Sequence, residues 1–190
     1  DVCSSDLTTN REIRSPKDFD NFKIRVMASP MLVEAYKSFG ADPTPLPYSE
    51  VYGALQLKMI DGQVNPVFAI EEMKFYEVND YMIWAGQQQF TTTVITNNSW
   101  FETLPQARQD QVNKVIAGMT DFIFEKQDEF NQKRLDQIKQ AKPDMQMIKL
   151  DNDERAAFKQ ASMPMRDKYI ELTGDSGKAV LSSLEQEFNQ

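Results

Sequence analysis

The stretch Phe22-Lys23-Ile24-Arg25-Val26-Met27-Ala28-Ser29-Pro30 carries a strand signal and a helix signal back to back. Ile24 and Val26 alternate with Lys23 and Arg25, the pattern of a half-buried strand with a polar face. Ser29 is then an N-cap and Pro30 fills the first helical position, where a missing N–H costs nothing. Leu32, Val33, Tyr36 and Phe39 recur at helical spacing and stop at Gly40, a C-terminal signal.

Downstream, Asp42 to Pro47 contains Pro43, Pro45 and Pro47. Proline removes ladder donors, so this segment is expected at a sheet edge. Ser49 is expected to cap a second helix whose apolar face is Val51, Tyr52 and Leu55. Asp61-Gly62 is expected to turn the chain. A strand, a short helix and a strand follow, ending in the β-rich stretch Phe90 to Thr96. This alternation predicts an α/β sheet.

Pro105 to Ala141 is the longest periodic segment. Its apolar positions include Val112, Val115, Ile116, Met119, Phe122, Ile123, Phe130, Leu135 and Ile138. A helix of that length reaches about 55 Å, against a radius of gyration of about 13 Å for a lobe of ~100 residues. It must therefore span two lobes or break. Met145 to Leu150 reads as a strand. Asp151 caps a helix running to Leu172 with a kink at Pro164, and Gly174 separates it from a last helix over Ser176 to Phe188.

The 190 residues are 41% hydrophobic and 26% charged, the balance of a globular protein. No apolar run approaches the ~20 residues that span a bilayer. A net charge of −8 argues against nucleic-acid binding. There is no histidine, which removes His-based nucleophile systems and imidazole zinc sites. The single cysteine, Cys3, allows no internal disulfide. Asp1 to Leu7 has neither the basic nor the apolar region of a signal peptide. It reads as a translated sequencing adapter, so the natural sequence is expected to begin near Thr8.

From Thr8 onward the order of motifs resembles the DctP family of TRAP-transporter solute-binding proteins. The residues concerned are Asn10-Arg11, Phe22 to Val26, Gly40-Ala41-Asp42-Pro43-Thr44-Pro45, Tyr48 to Gln56, Asp61-Gly62-Gln63-Val64-Asn65-Pro66 and Lys74 to Val78. The family usually carries an acidic residue at the position of Val64, a departure expected to tune the cleft or its neighbours. The resemblance implies a bilobal periplasmic-binding-protein-like α/β fold. It divides the chain into residues 1–7 as artefact, 8–91 as the second lobe, and 92–130 as a strand and hinge-spanning helix belonging partly to the first lobe. Residues 131–190 complete the second lobe, and the bulk of the first lobe is expected to be absent.

The same resemblance nominates ligand-binding residues. Arg25 would be the carboxylate clamp, since a planar guanidinium donates two parallel hydrogen bonds. The bland alternative is a surface arginine in a weak ion pair. Asn65 matches the family asparagine that reaches the ligand, against the alternative of an Asx turn. Tyr48 matches an aromatic that packs on the ligand, against core packing. Gln87, Phe90 and Thr91 sit where the family chain crosses between lobes beside the cleft, against hinge and strand packing. A second arginine that the family often carries a few residues upstream of Thr8 is expected to be lost, because Asp1 to Leu7 occupies its place.

The implied function is periplasmic capture of a small organic acid, a dicarboxylate or a related compound, and its delivery to TRAP membrane subunits. No cofactor, metal, catalytic residue, nucleic acid or membrane insertion is implied. Two other classes stand beside it. One is an acid–base enzyme using Glu50 or Asp61, which lacks any nucleotide or nucleophile motif in support. The other is a helical docking module in which Arg25 is incidental. The acidic runs Glu71-Glu72 and Asp151 to Glu154 are expected at helix starts rather than around a cation.

Overall fold

A computed structural model describes residues 5–86, 90 and 93–188. Cys3 lies outside the described residues. Six strands form one mixed sheet: β1 (Asp6–Thr9), β2 (Lys23–Val26), β3 (Asp42–Pro45), β4 (Gly62–Asn65), β5 (Tyr81–Trp84) and β6 (Gln146–Lys149), in the order β3-β2-β4-β1-β5-β6. The strand β1 is antiparallel to both neighbours, β4 and β5. Every other pairing is parallel. Five strands therefore deliver their carboxyl ends to one edge. Asp6 and Leu7 belong to β1; Leu7 is fully buried opposite Val64 and Ile83.

The local signals around β2 act as expected. Ser29 accepts the Leu32 N–H at the start of helix α1 (Pro30–Ser38). Gly40 closes it at φ +92°, a conformation without steric penalty only for glycine, with Ala41 N–H returning to the Tyr36 carbonyl. The proline-rich β3 is the sheet edge. Ser49, in contrast, caps nothing. It sits inside a 3₁₀ turn over Tyr48–Glu50 that leads straight into helix α2 (Val51–Gln56), with no side-chain cap. Gly62 is not a turn glycine either. It opens β4 where a Cβ would lie 2.7 Å from Phe22 Cζ and 2.8 Å from the Thr8 carbonyl oxygen. Close packing, not a positive φ, demands glycine there.

Two cores cover the two faces of the sheet. On one face Leu7, Ile24, Val26, Val64, Ile83 and Ile148 meet α1 and helix α6 (Asn152–Ser162). Phe19, Phe22, Tyr36, Phe39 and Phe158 pack there mostly edge to face, with centroids 5.2–6.0 Å apart. Asp151 and Glu154 form a reciprocal capping box that starts α6. On the other face Met82 packs with α2, helix α3 (Val67–Glu72) and Ile138, near the end of helix α5. Each fully buried aliphatic side chain is worth about 1.5–3 kcal/mol.

The helix α5 (Gln106–Ala141) runs 36 residues without a break at Gly118. Its C-terminal part is anchored. Arg134 pairs with Glu71 of α3, Ile138 is buried, and Lys142 just beyond holds Asp80 at 2.6 Å. Upstream, Val115, Phe122, Phe124 and Phe130 are each at least half exposed. A short helix α4 (Asn98–Glu102) precedes α5. The expected strand over Phe90 to Thr96 is not formed by Phe90 or residues 93–96. Val94 and Ile95 are 70% and 86% exposed, so β-branched residues here meet no sheet to join. The last helix, α7 (Met165–Phe188), starts after the break at Pro164 and is interrupted at Gly174, as the sequence predicts.

Substituting Gly62→Ala is expected to destabilise by about 1–3 kcal/mol through overpacking against Phe22 and Thr8. A lowered Tm, read by circular dichroism, checks this; an unchanged Tm contradicts the close-packing role. The exposed face of α5 is expected to make the isolated chain self-associate. Pairing Phe122→Glu with Ile123→Lys should lower its light-scattering mass at constant Tm.

Candidate functional site

Ligands of open α/β sheets bind outside the carboxyl ends of the strands. Arg25 stands next to last in β2, and Asn65 ends β4, the neighbouring strand. Arg25 pairs with Gln63 in register, and Gln63 with Thr8, so Arg25, Gln63, Asn65 and Thr8 point to one face. This face is covered by α2 and α3. Arg25 is accordingly 3% exposed, which corrects the half-buried strand expected from the alternation and excludes a surface arginine.

The guanidinium of Arg25 is held but not neutralised. Its Nε and Nη2 both donate to the Leu46 carbonyl, at 3.0 and 2.8 Å. Leu46 directly follows β3, so the fork is drawn toward the carboxyl edge. Among the described residues no carboxylate pairs with it. Burial pushes its pKa below the ordinary arginine value, and Tyr48 acts in the opposite sense. Arginine nevertheless stays protonated.

Asn65 is 7% exposed and donates through Nδ2 to Gln63 Oε1, so it does not cap its own backbone as an Asx turn would. Gln63 Nε2 donates to Thr8 Oγ1 at 2.9 Å, and Thr8 Oγ1 donates to Asn79 Oδ1 at 2.8 Å. Gln63, Thr8 and Asn79 are fully buried. Sequence reasoning passed over all three. A signal for one was present: Gln63 and Asn65 stand two apart on a strand and must share a face.

Tyr48 is partly exposed, its ring edge-on to Phe75 at 6.1 Å and its hydroxyl donating to the Ala69 carbonyl at 3.3 Å. Burial raises its pKa, with Glu72 adding to the effect and Arg25 and Arg134 opposing it. It thus borders Arg25 while bracing α3. The ring of Phe90 lies 6.0 Å from Phe68, on the helix that follows Asn65. Gln87 and Thr91 lie outside the described residues.

Val64 lies on the opposite face, in the core beside Leu7, so its departure from the family pattern does not reach the face that carries Arg25 and Asn65. Glu50 is exposed, and Asp61 accepts the Lys23 N–H at 2.7 Å at the other edge of the sheet, so the two carboxylates form no acid–base pair. Among the described residues no group of three or more acidic or cysteine side chains is placed to hold a metal.

Residues 4–172 match the family model of DctP, bacterial extracellular solute-binding protein, family 7. The ectoine/5-hydroxyectoine-binding periplasmic protein UehA of Ruegeria pomeroyi is 42% identical over 178 residues, 94% of this chain and 52% of that protein. The ectoine-binding periplasmic protein TeaA of Halomonas elongata is 39% identical over 175 residues, covering 92% and 51%. The chain therefore spans about half the length of these curated relatives. The crystal structure of a TRAP periplasmic solute-binding protein from Marinobacter aquaeolei VT8, apo and open, superposes with TM-score 0.91 at 39% identity, covering 95% of this chain and 60% of that one. The structural neighbours are bilobal, and both named relatives are periplasmic. No described helix is long and apolar enough to cross a membrane. With 169 consecutive residues matched and the same sheet superposed, the chain belongs to family 7 of the bacterial extracellular solute-binding proteins, the DctP family.

Proposed function

We propose that the protein is the periplasmic solute-binding component of a TRAP transporter, in which this chain supplies the second lobe of a two-lobed trap for a small carboxylate. One observation carries the reading. Arg25 is a buried cation that the described residues leave without an anion. A buried charge is costly unless paired, so the site favours a ligand that brings a carboxylate. The Leu46 carbonyl takes one edge of the fork and leaves the Nη1 side for a ligand oxygen. Asn65 supplies a second polar group one strand away, and Tyr48 an aromatic wall. Closure of a first lobe over this edge excludes water and strengthens the charge-assisted contact.

The function is binding and release, with no turnover. The closed form would be the one recognised by the membrane subunits, a population shift driven by the ligand. The ectoine-binding relatives narrow the first compound to try. Ectoine is itself a ring carboxylate with a delocalised cation, so an arginine clamp suits it as well as it suits a dicarboxylate. Asn65 can both donate and accept, which accommodates the N–H groups that a dicarboxylate lacks.

Calorimetric titration of the two-lobed protein with ectoine, succinate and a sugar acid tests this. At least one should bind without being consumed and raise the Tm by mass action. Turnover of the bound compound would mark an enzyme, and indifference to the whole panel a docking module. Arg25→Lys should weaken the binder about ten- to hundredfold, because a point charge replaces a bidentate fork. Unchanged affinity would remove Arg25 from the site. The 190-residue chain alone should bind far more weakly than the two-lobed protein; micromolar or tighter binding would show that one lobe suffices.

A further inference from the structure

We propose that Gln63 is a positioning residue for ligand capture: it fixes the amide of Asn65 beside Arg25 through a buried hydrogen-bond chain that crosses the sheet from Asn65 to Asn79. This deepens the reading above and rests on Asn65 meeting the ligand.

A terminal amide torsion is soft and roughly two-fold, so an unsupported asparagine presents its oxygen or its NH₂ with little preference. The chain behind Asn65 removes that freedom. Asn79 Oδ1 is purely an acceptor, and the single hydroxyl proton of Thr8 goes to it at 2.8 Å. The lone pairs of Thr8 Oγ1 are then left to accept Gln63 Nε2 at 2.9 Å. That places Gln63 Oε1 at the other end of its amide, where it receives Asn65 Nδ2. Each link has one polarity, and each sets the next. Among the described residues this leaves Asn65 Oδ1 and its second N–H for a ligand, in a fixed orientation.

The strand register makes the arrangement possible. Thr8, Gln63 and Arg25 are direct cross-strand partners on β1, β4 and β2, and Asn65 lies two residues beyond Gln63 on the same face. Gln63 is wholly buried, so it cannot touch a ligand and acts only through Asn65. The far end retains a cost: Asn79 Nδ2 is buried without a hydrogen-bond partner among the described residues. An apolar residue at position 79 would avoid that cost, but it would leave the Thr8 hydroxyl without its acceptor and the chain without direction.

The test follows the side-chain amide signals of Asn65 by ¹⁵N NMR in this chain, with ectoine as the probe in the two-lobed protein. Gln63→Met keeps length and removes all hydrogen bonding. It should lower the hydrogen-exchange protection of the Asn65 amide by about tenfold and bring its two proton signals together. Thr8→Val should do the same more weakly, and Thr8→Ser should restore the wild-type signals, which a packing role alone would not produce. Unchanged Asn65 signals in both Gln63→Met and Thr8→Val would overturn the proposal. In the two-lobed protein, Gln63→Met and Asn65→Ala should each weaken ectoine about tenfold, and the double variant no further. Additive losses would overturn action through Asn65. If Arg25→Lys leaves ectoine affinity unchanged while the Asn65 signals respond as described, the site reading falls and the internal positioning of Asn65 stands.

Discussion

A guanidinium that is almost completely buried, and held on one side only by the Leu46 carbonyl, is the constraint on which the rest turns. A charge in that position is tolerated because its surroundings are polar where they need to be. The carbonyl follows β3 and is fixed by the parallel β2–β3 ladder. Along the face Arg25 shares, the next cross-strand positions are Gln63 and Thr8 rather than aliphatic residues. The strip of polar residues runs across one face, while the opposite face is filled with rings and aliphatic side chains. The sheet is thus a partition. One side supplies cohesion, and the other combines apolar packing around Met82 and Ile138 with a line of oriented dipoles that ends beside the charge.

Strand direction completes the arrangement. Because β1 runs against both neighbours, β4 and β5 run together, and all five remaining strands end at one edge. Arg25 and Asn65 reach that edge by backbone geometry, without long flexible arms. A residue near a strand end, in a ladder paired on both sides, has little freedom, and preorganisation of this kind reduces the entropy lost when a ligand is captured. Tyr48 is held by helices: its hydroxyl reaches the α3 backbone, and Arg134 ties α3 to α5 through Glu71.

Much of the fold was legible because local chemistry is unambiguous where it works at short range. Ser29, Pro30 and Gly40 bound α1, Asp151 starts α6, and Pro164 and Gly174 interrupt the last helices as their backbone preferences require. Errors arise where a residue answers to a distant neighbour. Gly62 looks like a turn glycine and is in fact required by Phe22 and the Thr8 carbonyl. Ser49 looks like a cap and lies within a 3₁₀ turn. Arg25 was found through its motif, but its burial was not, because alternation in sequence reports one covered face and this sheet has two. The chain from Asn65 to Asn79 joins positions up to 71 residues apart, and no local pattern announces it. The nominations of Asn65 and Tyr48 rested on resemblance, and the geometry adds what each side chain holds.

The exposed face of α5 and the bare cation at Arg25 are two forms of one condition. Each is a group whose environment in the described residues falls short of what its chemistry needs. For Phe122 and Phe130 the shortfall is apolar area, which contact with a further apolar surface would remove from water. For Arg25 the shortfall is a single anion, which a small molecule can bring. Both lie beyond the same helix α3, which touches α5 through Arg134 and Glu71 and follows Asn65 across Pro66. A further apolar surface laid over Phe122 and Phe130 would therefore also meet Phe68 of α3, three residues beyond Asn65, which brings the two unmet needs to the same short helix.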